Sequence, residues 1–540
     1  MATTNGGTVE VAAALPAVTR QDNPPPKQLA VEPLTLAGIA ARRAKAGKLV
    51  AGTAAYSDSD MFKSPQAYNH LKARRWDHHL SPEVLARHPC ALKKAALNLK
   101  KPGMLSLGGG LPSADNFPIE SLSMQVQHPP SFGKNSTEVS GYDTTMGKHD
   151  IRDKDGVYDV SVALNYGQAN GSAQMMRWVT EHTELVFRPP YADWRCALSI
   201  GSTGALDSAL RMFCDRNRRD SILTEEYSFA TALETIAPLG IKVFGVRIDE
   251  QGLLPESLDE ILSNWDENTR GARKPTVLYT VPSGQNPTGA TMSLQRRKDV
   301  YNVCSKHDVY IFEDEPYYYL QMPPYDKANS AAQPGAVDVY SNQSTENFLR
   351  NLIPTLLSID VDGRVLRMDS FSKVVVPGSR MGWVTASEQV IERYIRLQEC
   401  CSQGPAGFSQ ALMYKLLDET WGHEGYLRWL IRLRSEYTQR RDALLDACEK
   451  HLPKDVLWLR VDHTRHPHVG EKTLLELEEE IFDSCIESGV LACRGSWFCA
   501  ERDVELTGLF FRTTFAAATQ ADMDVAIQRF GQAVRASFKI

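Results

Sequence analysis

The chain has 540 residues, 42% of them hydrophobic, enough to build two packed domains, or one large and one small, without metals or disulfides to hold them. Its 60 Lys and Arg against 66 Asp and Glu give a formal charge of −6, which offers no basic field for nucleic acid or an anionic membrane and makes a small molecule the default partner. The 10 cysteines are scattered, with no C-x-x-C and one adjacent pair at Cys400 and Cys401; this excludes a zinc motif and a secreted disulfide framework and suits reduced thiols in the cytoplasm.

In chain order, residues 1–35 are rich in Ala, Thr and Pro and read as a disordered tail, without a signal-peptide core or an arginine-rich transit pattern. No apolar run approaches the roughly 20 residues that a membrane helix needs. From about 172 to 385 the sequence alternates β-rich runs with helical ones. "RCALSI" (195–200), "DSILTEE" (220–226), "IKVFGVRI" (241–248), "PTVLYTV" (275–281), "VYIFEDE" (309–315) and "RVLRMDS" (364–370) are predicted strands. "ATALETIAPLG" (230–240) and "LQRRKDVYNVCSKHD" (294–308) are predicted helices. This rhythm predicts an α/β fold whose mostly parallel sheet is wrapped by helices and gathers its ligands at the carboxyl ends of the strands. Residues 326–348 interrupt the rhythm and read as a surface insertion. Runs 388–401 and 426–452 are long amphipathic helices leading into a second, smaller domain.

Five stretches carry candidate chemistry. In "LSIGSTGALDSALRMFC" a strand, a small-residue turn over Gly201, Ser202, Thr203 and Gly204, and a helix offer amides and a dipole to a phosphate, though an ordinary helix start fits equally when the motif stands alone. In "SFSKVVVPGSRMGW" the hydroxyls of Ser370 and Ser372 and the guanidinium of Arg380 are donors of the kind that hold a phosphate dianion. Lys373 lies beside them; a free lysine, with a pKa of about 10.4, is a poor nucleophile until a cation or an imine changes it. In "IFEDEPYYYL", Asp314 at a strand end suits a protonated ring nitrogen and Tyr317 a phenolate oxygen. In "VPSGQNPTGA" the N-P turn fixes Asn286 with its amide free to donate. In "GLFFRTTFA", Arg512 sits in an apolar β-type run and needs an anionic partner, either a structural carboxylate or that of a substrate.

Taken together and in this order, G-S-T-G, Y-S-F, N-P-T-G, E-D-E-P-Y-Y, S-F-S-K and F-R-T-T-F, the motifs resemble the fold-type I, pyridoxal phosphate dependent aminotransferases. The branch they resemble most contains fungal aromatic amino acid aminotransferases and kynurenine/2-aminoadipate aminotransferases, and the likeness runs from "LSLGGGLPSADNFP" (105–118) nearly to the C-terminus. The resemblance implies that Lys373 holds pyridoxal 5'-phosphate covalently and serves as the catalytic base. Asp314 would pair with the ring nitrogen, Asn286 and Tyr317 with the phenolic oxygen, and Phe229 would stack on the ring. Ser202, Thr203, Gly204, Ser370, Ser372 and Arg380 would bind the phosphate, with Tyr166 reaching it from the neighbouring subunit of a homodimer. Gly110, Asn286 and Arg512 would line the substrate site, Arg512 gripping the α-carboxylate.

The implied reaction moves an amino group from an aromatic or 2-aminoadipate-like L-amino acid to a 2-oxo acid such as 2-oxoglutarate, with no metal, nucleic acid or membrane involved. The implied domains are a tail at 1–35, an arm and part of the small domain at 36–150, a large cofactor-binding domain at 151–390 and a C-terminal small domain at 391–540. One departure stands out: the branch carries a P-x-x-G-M-F type strand after a helix like 425–451, and here 452–473 passes to the next helix without it, through a diverged pocket or a loss of roughly ten residues. Two rivals remain from the residues alone: another pyridoxal phosphate reaction on the same scaffold, such as a lyase or decarboxylase, and a cofactor-sensing transcription regulator.

Overall fold

The computed structural model describes residues 34–96, 107–108, 110–127, 141–332, 343–453, 472–502, 506 and 508–540. The expected tail up to residue 33, the middle of the 326–348 insertion (333–342) and most of the 452–473 stretch (454–471) lie outside the described residues. A hairpin of β1 (Ser121–Gln127) and β2 (Gly141–Gly147) precedes the main sheet. Next come β3 (Trp194–Ser199), β4 (Ser221–Glu225) and β5 (Lys242–Val246), followed by the short pair β6 (Ile248–Asp249) and β7 (Gly252–Leu253). Then follow β8 (Val277–Thr280), β9 (Tyr310–Asp314), β10 (Val365–Ser370) and β11 (Gly382–Ser387). A last pair is formed by β12 (Cys493–Arg494) and β13 (Phe511–Arg512).

Seven strands form one sheet in the order β3-β11-β10-β9-β8-β4-β5. From β10 to β5 every pairing is parallel, and β11 alone runs against both of its neighbours. A mostly parallel sheet needs helices on both faces, which is why β4, β8, β9 and β10 are buried at every position rather than at alternate ones. Successive side chains still point to opposite faces. Leu223, Leu278, Ile311 and Val365 join the cluster around helix Ala173–Val186, while Ile222, Val277, Phe312 and Leu366 join that around helices Gly201–Phe213 and Glu388–Glu399. Toward the C-terminus, helix Gln520–Phe538 packs on the long helix Gly422–His451 through Met523 and Ile527 against Leu444 and Cys448.

The sheet also buries charge. Arg367, on β10, makes a two-pronged contact with Asp369, both bonds at 2.8 Å, and lies 3.4 Å from Glu313 on the adjacent β9. Glu313 in turn accepts from the amides of Leu356 and Leu357, so that no charge in the trio is left without a partner. The α/β fold expected from the sequence is therefore present, with three local differences. The small residues Gly201 to Gly204 are not a separate turn but the first turn of the helix, entered through a left-handed Gly201. "IKVFGVRI" divides at Arg247 into β5 and β6, because Leu254 N–H bonds back to the Arg247 carbonyl and closes a hairpin there. The apolar run around Arg512 yields only two paired residues, Phe511 and Arg512.

The turn from β10 into β11 depends on Gly382. A Cβ at this position would lie 2.2 Å from the carbonyl oxygen of Asp369, a backbone atom of the neighbouring strand. Gly382→Ala is expected to destabilise the protein by about 3 kcal/mol, at the upper end of overpacking costs, read as a lower urea midpoint with an unchanged slope.

Candidate active site

Because β8, β9 and β10 run parallel, their carboxyl ends lie at one edge of the sheet, and the segments that follow them meet there. β8 leads into the loop carrying Asn286, β9 ends on Asp314, and β10 ends on Ser370 and turns through Ser372 and Lys373 toward Arg380. β3 shares this direction, being antiparallel to β11, and feeds helix Gly201–Phe213 into the same place.

Three groups of donors face one another at the start of that helix. Ser370 donates to Ser372 Oγ at 2.9 Å, and the Ser372 amide returns a bond to Ser370 Oγ at 3.1 Å. Arg380 reaches Ser372 Oγ at 3.3 Å, from a left-handed backbone whose amide donates to the Pro377 carbonyl at 3.3 Å, while its Nη1 donates to the same carbonyl at 3.1 Å. Opposite it, a Cβ on Gly201 would come within 2.8 Å of Arg380 Nη2, so only glycine lets the guanidinium lie against the helix start. Ile200 at the N-cap brings no side-chain acceptor, which leaves the first helical amides and their dipole available to an anion. This is a cradle built of two hydroxyls, a guanidinium and a helix terminus. Thr203 is exposed on it, and Gly204 accepts from Ser208 through its carbonyl at 2.8 Å.

Beside the cradle, Asp314 is buried and its Oδ2 accepts from the Tyr279 hydroxyl at 2.9 Å. Among the described residues Oδ1 has no hydrogen-bond partner, and neither has the buried Ser202 Oγ. Burial pushes the Asp314 carboxyl up to about 6, with the Tyr279 hydroxyl and the Ser202 hydroxyl, close but outside bonding geometry, pulling the other way. An orphaned carboxylate oxygen of this kind is a site awaiting a cationic N–H. Lys373, exposed, places Nζ 5.9 Å from the centroid of the Tyr317 ring. Burial, and then the charge of Asp314, raises the Tyr317 phenol above its ordinary value, which keeps it a donor. Phe229 caps helix Ala230–Ile236 and is half-buried against the cluster on the Gly201–Phe213 face.

Asn286 Oδ1 accepts from Arg512 Nη1 at 3.2 Å, which joins the loop after β8 to β13. Arg512 Nη2 donates to Cys493 Sγ at 3.0 Å, directly across the β12–β13 pair, and Cζ lies 5.2 Å from the centroid of the Phe498 ring. Neither partner is a carboxylate, and Arg512 Nε is buried with no partner. Among the described residues the guanidinium thus has no carboxylate partner. Of the two remaining residues singled out from the sequence, Tyr166, 56% exposed, lines a cleft with Tyr158 and Gly404, and Gly110 is exposed with no atom within 4 Å of where its Cβ would be. Two residues that sequence reasoning missed, Tyr279 and Cys493, hold Asp314 and Arg512 in place. Tyr279 looks like any strand tyrosine in "VLYT", and nothing in the sequence near Cys493 marks it as a neighbour of Arg512.

Comparison with known proteins gives a consistent result. The family described as aminotransferase class I and II matches residues 183–530. An aromatic amino acid aminotransferase of Schizosaccharomyces pombe is 43% identical over 478 residues, 86% of this chain and 98% of that one. The mitochondrial kynurenine/alpha-aminoadipate aminotransferase of Mus musculus is 30% identical over 480 residues, 85% of this chain and 98% of that one. The crystal structure of aminotransferase Aro8 from Candida albicans superposes with a TM-score of 0.79 at 38% identity, covering 87% of this chain and all of that one.

The burial of Asp314 has a consequence for stability. In the ligand-free folded protein its proton stays on until about pH 6, whereas the unfolded chain releases it near the ordinary value of 3.8. Stability from this group is thus full below pH 4 and is lost as pH rises through 6, on the order of 3 kcal/mol in all. In urea unfolding of ligand-free protein, Asp314→Asn is expected to gain on the wild type by about 1.5 kcal/mol as pH rises from 5 to 8, the half of that amount still to be lost above pH 5; a difference that stays flat with pH would contradict the buried, orphaned acid.

Proposed function

The chain belongs to the class I and II aminotransferases, and on that premise we propose that it transfers the amino group of an aromatic or 2-aminoadipate-like L-amino acid to a 2-oxo acid such as 2-oxoglutarate, with pyridoxal 5'-phosphate as cofactor. The observation that carries the proposal is one edge of the sheet, where a lysine amine, an orphaned buried acid and an anion cradle meet. These residues fit that cofactor. The Ser370, Ser372 and Arg380 donors, with Ser202, Thr203, Gly204 and the helix terminus, suit its phosphate. Asp314 Oδ1 would accept from the ring nitrogen, Asn286 and Tyr317 would address the phenolic oxygen, and Phe229 would lie along the ring. When bound, the cofactor supplies a cationic ring that takes up the electron pair left as the substrate Cα–H bond breaks.

The remaining steps belong to the chain. Arg512 offers a forked pair of N–H donors to the α-carboxylate, and Asn286 and Cys493 keep the fork from turning. With the carboxylate fixed, Cα would be held near Lys373 Nζ, which takes the Cα proton as a free amine and would return it at C4′ of the cofactor, on the far side of the transferring nitrogen. Asp314 stays ionised once a cation approaches Oδ1, because the attraction offsets the burial that otherwise raises it. Gly110, Tyr166 and a cytoplasmic homodimer complete the reading. It is supported by the exposure of Tyr166, in a cleft whose lining includes neither Lys373 nor the phosphate donors, and by 10 cysteines that are all free thiols. The aromatic or aminoadipate preference follows the named activities of the two relatives.

The test is a panel of amino donors with 2-oxoglutarate. Phenylalanine, tyrosine, tryptophan, kynurenine or 2-aminoadipate is expected to yield its oxo acid in step with glutamate, and failure of all five would overturn the substrate class. Arg512→Lys, which keeps the charge but loses the fork, is expected to lower kcat/KM for the donor by about 100-fold, the equivalent of a lost charge-assisted pair. An unchanged value would remove Arg512 from the substrate site.

A further inference from the structure

At the opposite end of β9 from Asp314 a second cluster of donors converges, and it plays no part in the chemistry above. Asp308 lies two residues before the strand begins, six residues or roughly 20 Å of extended chain from Asp314. Its Oδ2 is approached by two imidazoles from the short turn Asp77–His79: His78 Nε2 at 2.8 Å and His79 Nε2 at 3.1 Å. The ligand atoms of the three residues lie within 4.8 Å of one another. We propose that His78, His79 and Asp308 form a binding site for a borderline divalent transition cation of the zinc type, held through His78 Nε2, His79 Nε2 and Asp308 Oδ2 with water at the remaining position.

The arrangement is held from behind. Arg74 Nη2 donates to Asp308 Oδ1 at 2.6 Å, which occupies that oxygen and turns Oδ2 toward the imidazoles. The Arg74 guanidinium itself rests on the Trp76 ring, 4.3 Å from its centroid. His79 is buried against the same indole, with ring centroids 5.3 Å apart, and its Nδ1 has no partner, so Nε2 is the nitrogen with a polar task. The two imidazole rings are 4.3 Å apart and tilted by 56°, so they do not stack face to face. Metal bonds of about 2.1 Å at a tetrahedral angle separate ligand atoms by roughly 3.4 Å. The present 2.8 and 3.1 Å would open by about 0.6 and 0.3 Å to match that spacing, the larger shift falling on the half-exposed His78 ring. Two imidazoles and one carboxylate favour zinc, nickel or copper over calcium or magnesium, which seek all-oxygen shells. The positive Arg74 sets a limit on affinity, and the gain is a clamp between the Asp77–His79 turn and the start of β9.

The test uses the full-length protein carrying whatever cofactor it purifies with, dialysed against EDTA and titrated with Zn2+ in competition with a chromophoric chelator. Wild type is expected to bind one equivalent more tightly than His78→Gln and Asp308→Asn, by at least about 10-fold, the order seen when metal-site partners are removed. Zn2+ should also raise the thermal midpoint of the wild type and leave that of the two variants unmoved. His78→Gln alters an exposed ring and tests the site even if Asp308→Asn folds poorly. Equal affinity and stoichiometry in wild type and His78→Gln would overturn the proposal, as would a wild type that binds no Zn2+ beyond the chelator.

Discussion

The parallel pairing of β9 with β10 is the constraint on which the rest of the molecule depends. It sets Met368 beside Asp314 and carries β10 two residues further, so that Ser370, Ser372 and Lys373 emerge past the acid at the same edge. Slipping this register by one residue would turn Asp314 to the other face of the sheet and bury Lys373's approach behind it. What prevents the slip is charge as much as apolar packing. Arg367 reaches across the pair to Glu313 while gripping Asp369 on its own strand, and breaking one member of so buried a set costs about 3–5 kcal/mol.

The same burial gives the site its character. The low dielectric that makes the Arg367 set unforgiving also raises Asp314, and Asp369 adds to that rise through its own charge. The chain thus stores an unfavourable arrangement where a cationic ligand would relieve it. Arg512 is the counterpart of opposite sign: its Nε is orphaned and its two terminal nitrogens are held by neutral groups. An acid lacking a cation and a guanidinium lacking an anion, both reaching the vicinity of Tyr317, describe a ligand with a positive ring nitrogen and a substrate with a carboxylate.

Much of this was legible in the sequence because parallel sheets place their chemistry just after strands, and the strands here announce themselves as short, apolar, β-branched runs. Asp314 follows "VYIF", Lys373 follows "RVLRMDS" and Asn286 follows "PTVLYTV", so reading the strands located three of the central residues. Where the reading failed, the cause was a contact distant in sequence. The small-residue run at Gly201 looks like a turn until Arg380, far along the chain, is seen to need the space that a Cβ would fill. Tyr279 and Cys493 gain their tasks only when the sheet and the C-terminal pair are assembled. Of the two anionic partners left open for Arg512, a structural carboxylate is not among its contacts in the described residues, where an amide oxygen and a thiol accept instead, which no local pattern foretells.

All of the proposed chemistry converges on one nitrogen, Lys373 Nζ. The most direct measurement is to treat the native protein with borohydride, digest it and weigh the fragments. The peptide containing Lys373 is expected to gain the mass of a reduced pyridoxyl phosphate group; finding that peptide unmodified, or the added mass on another lysine, would rule out Lys373 as the cofactor lysine.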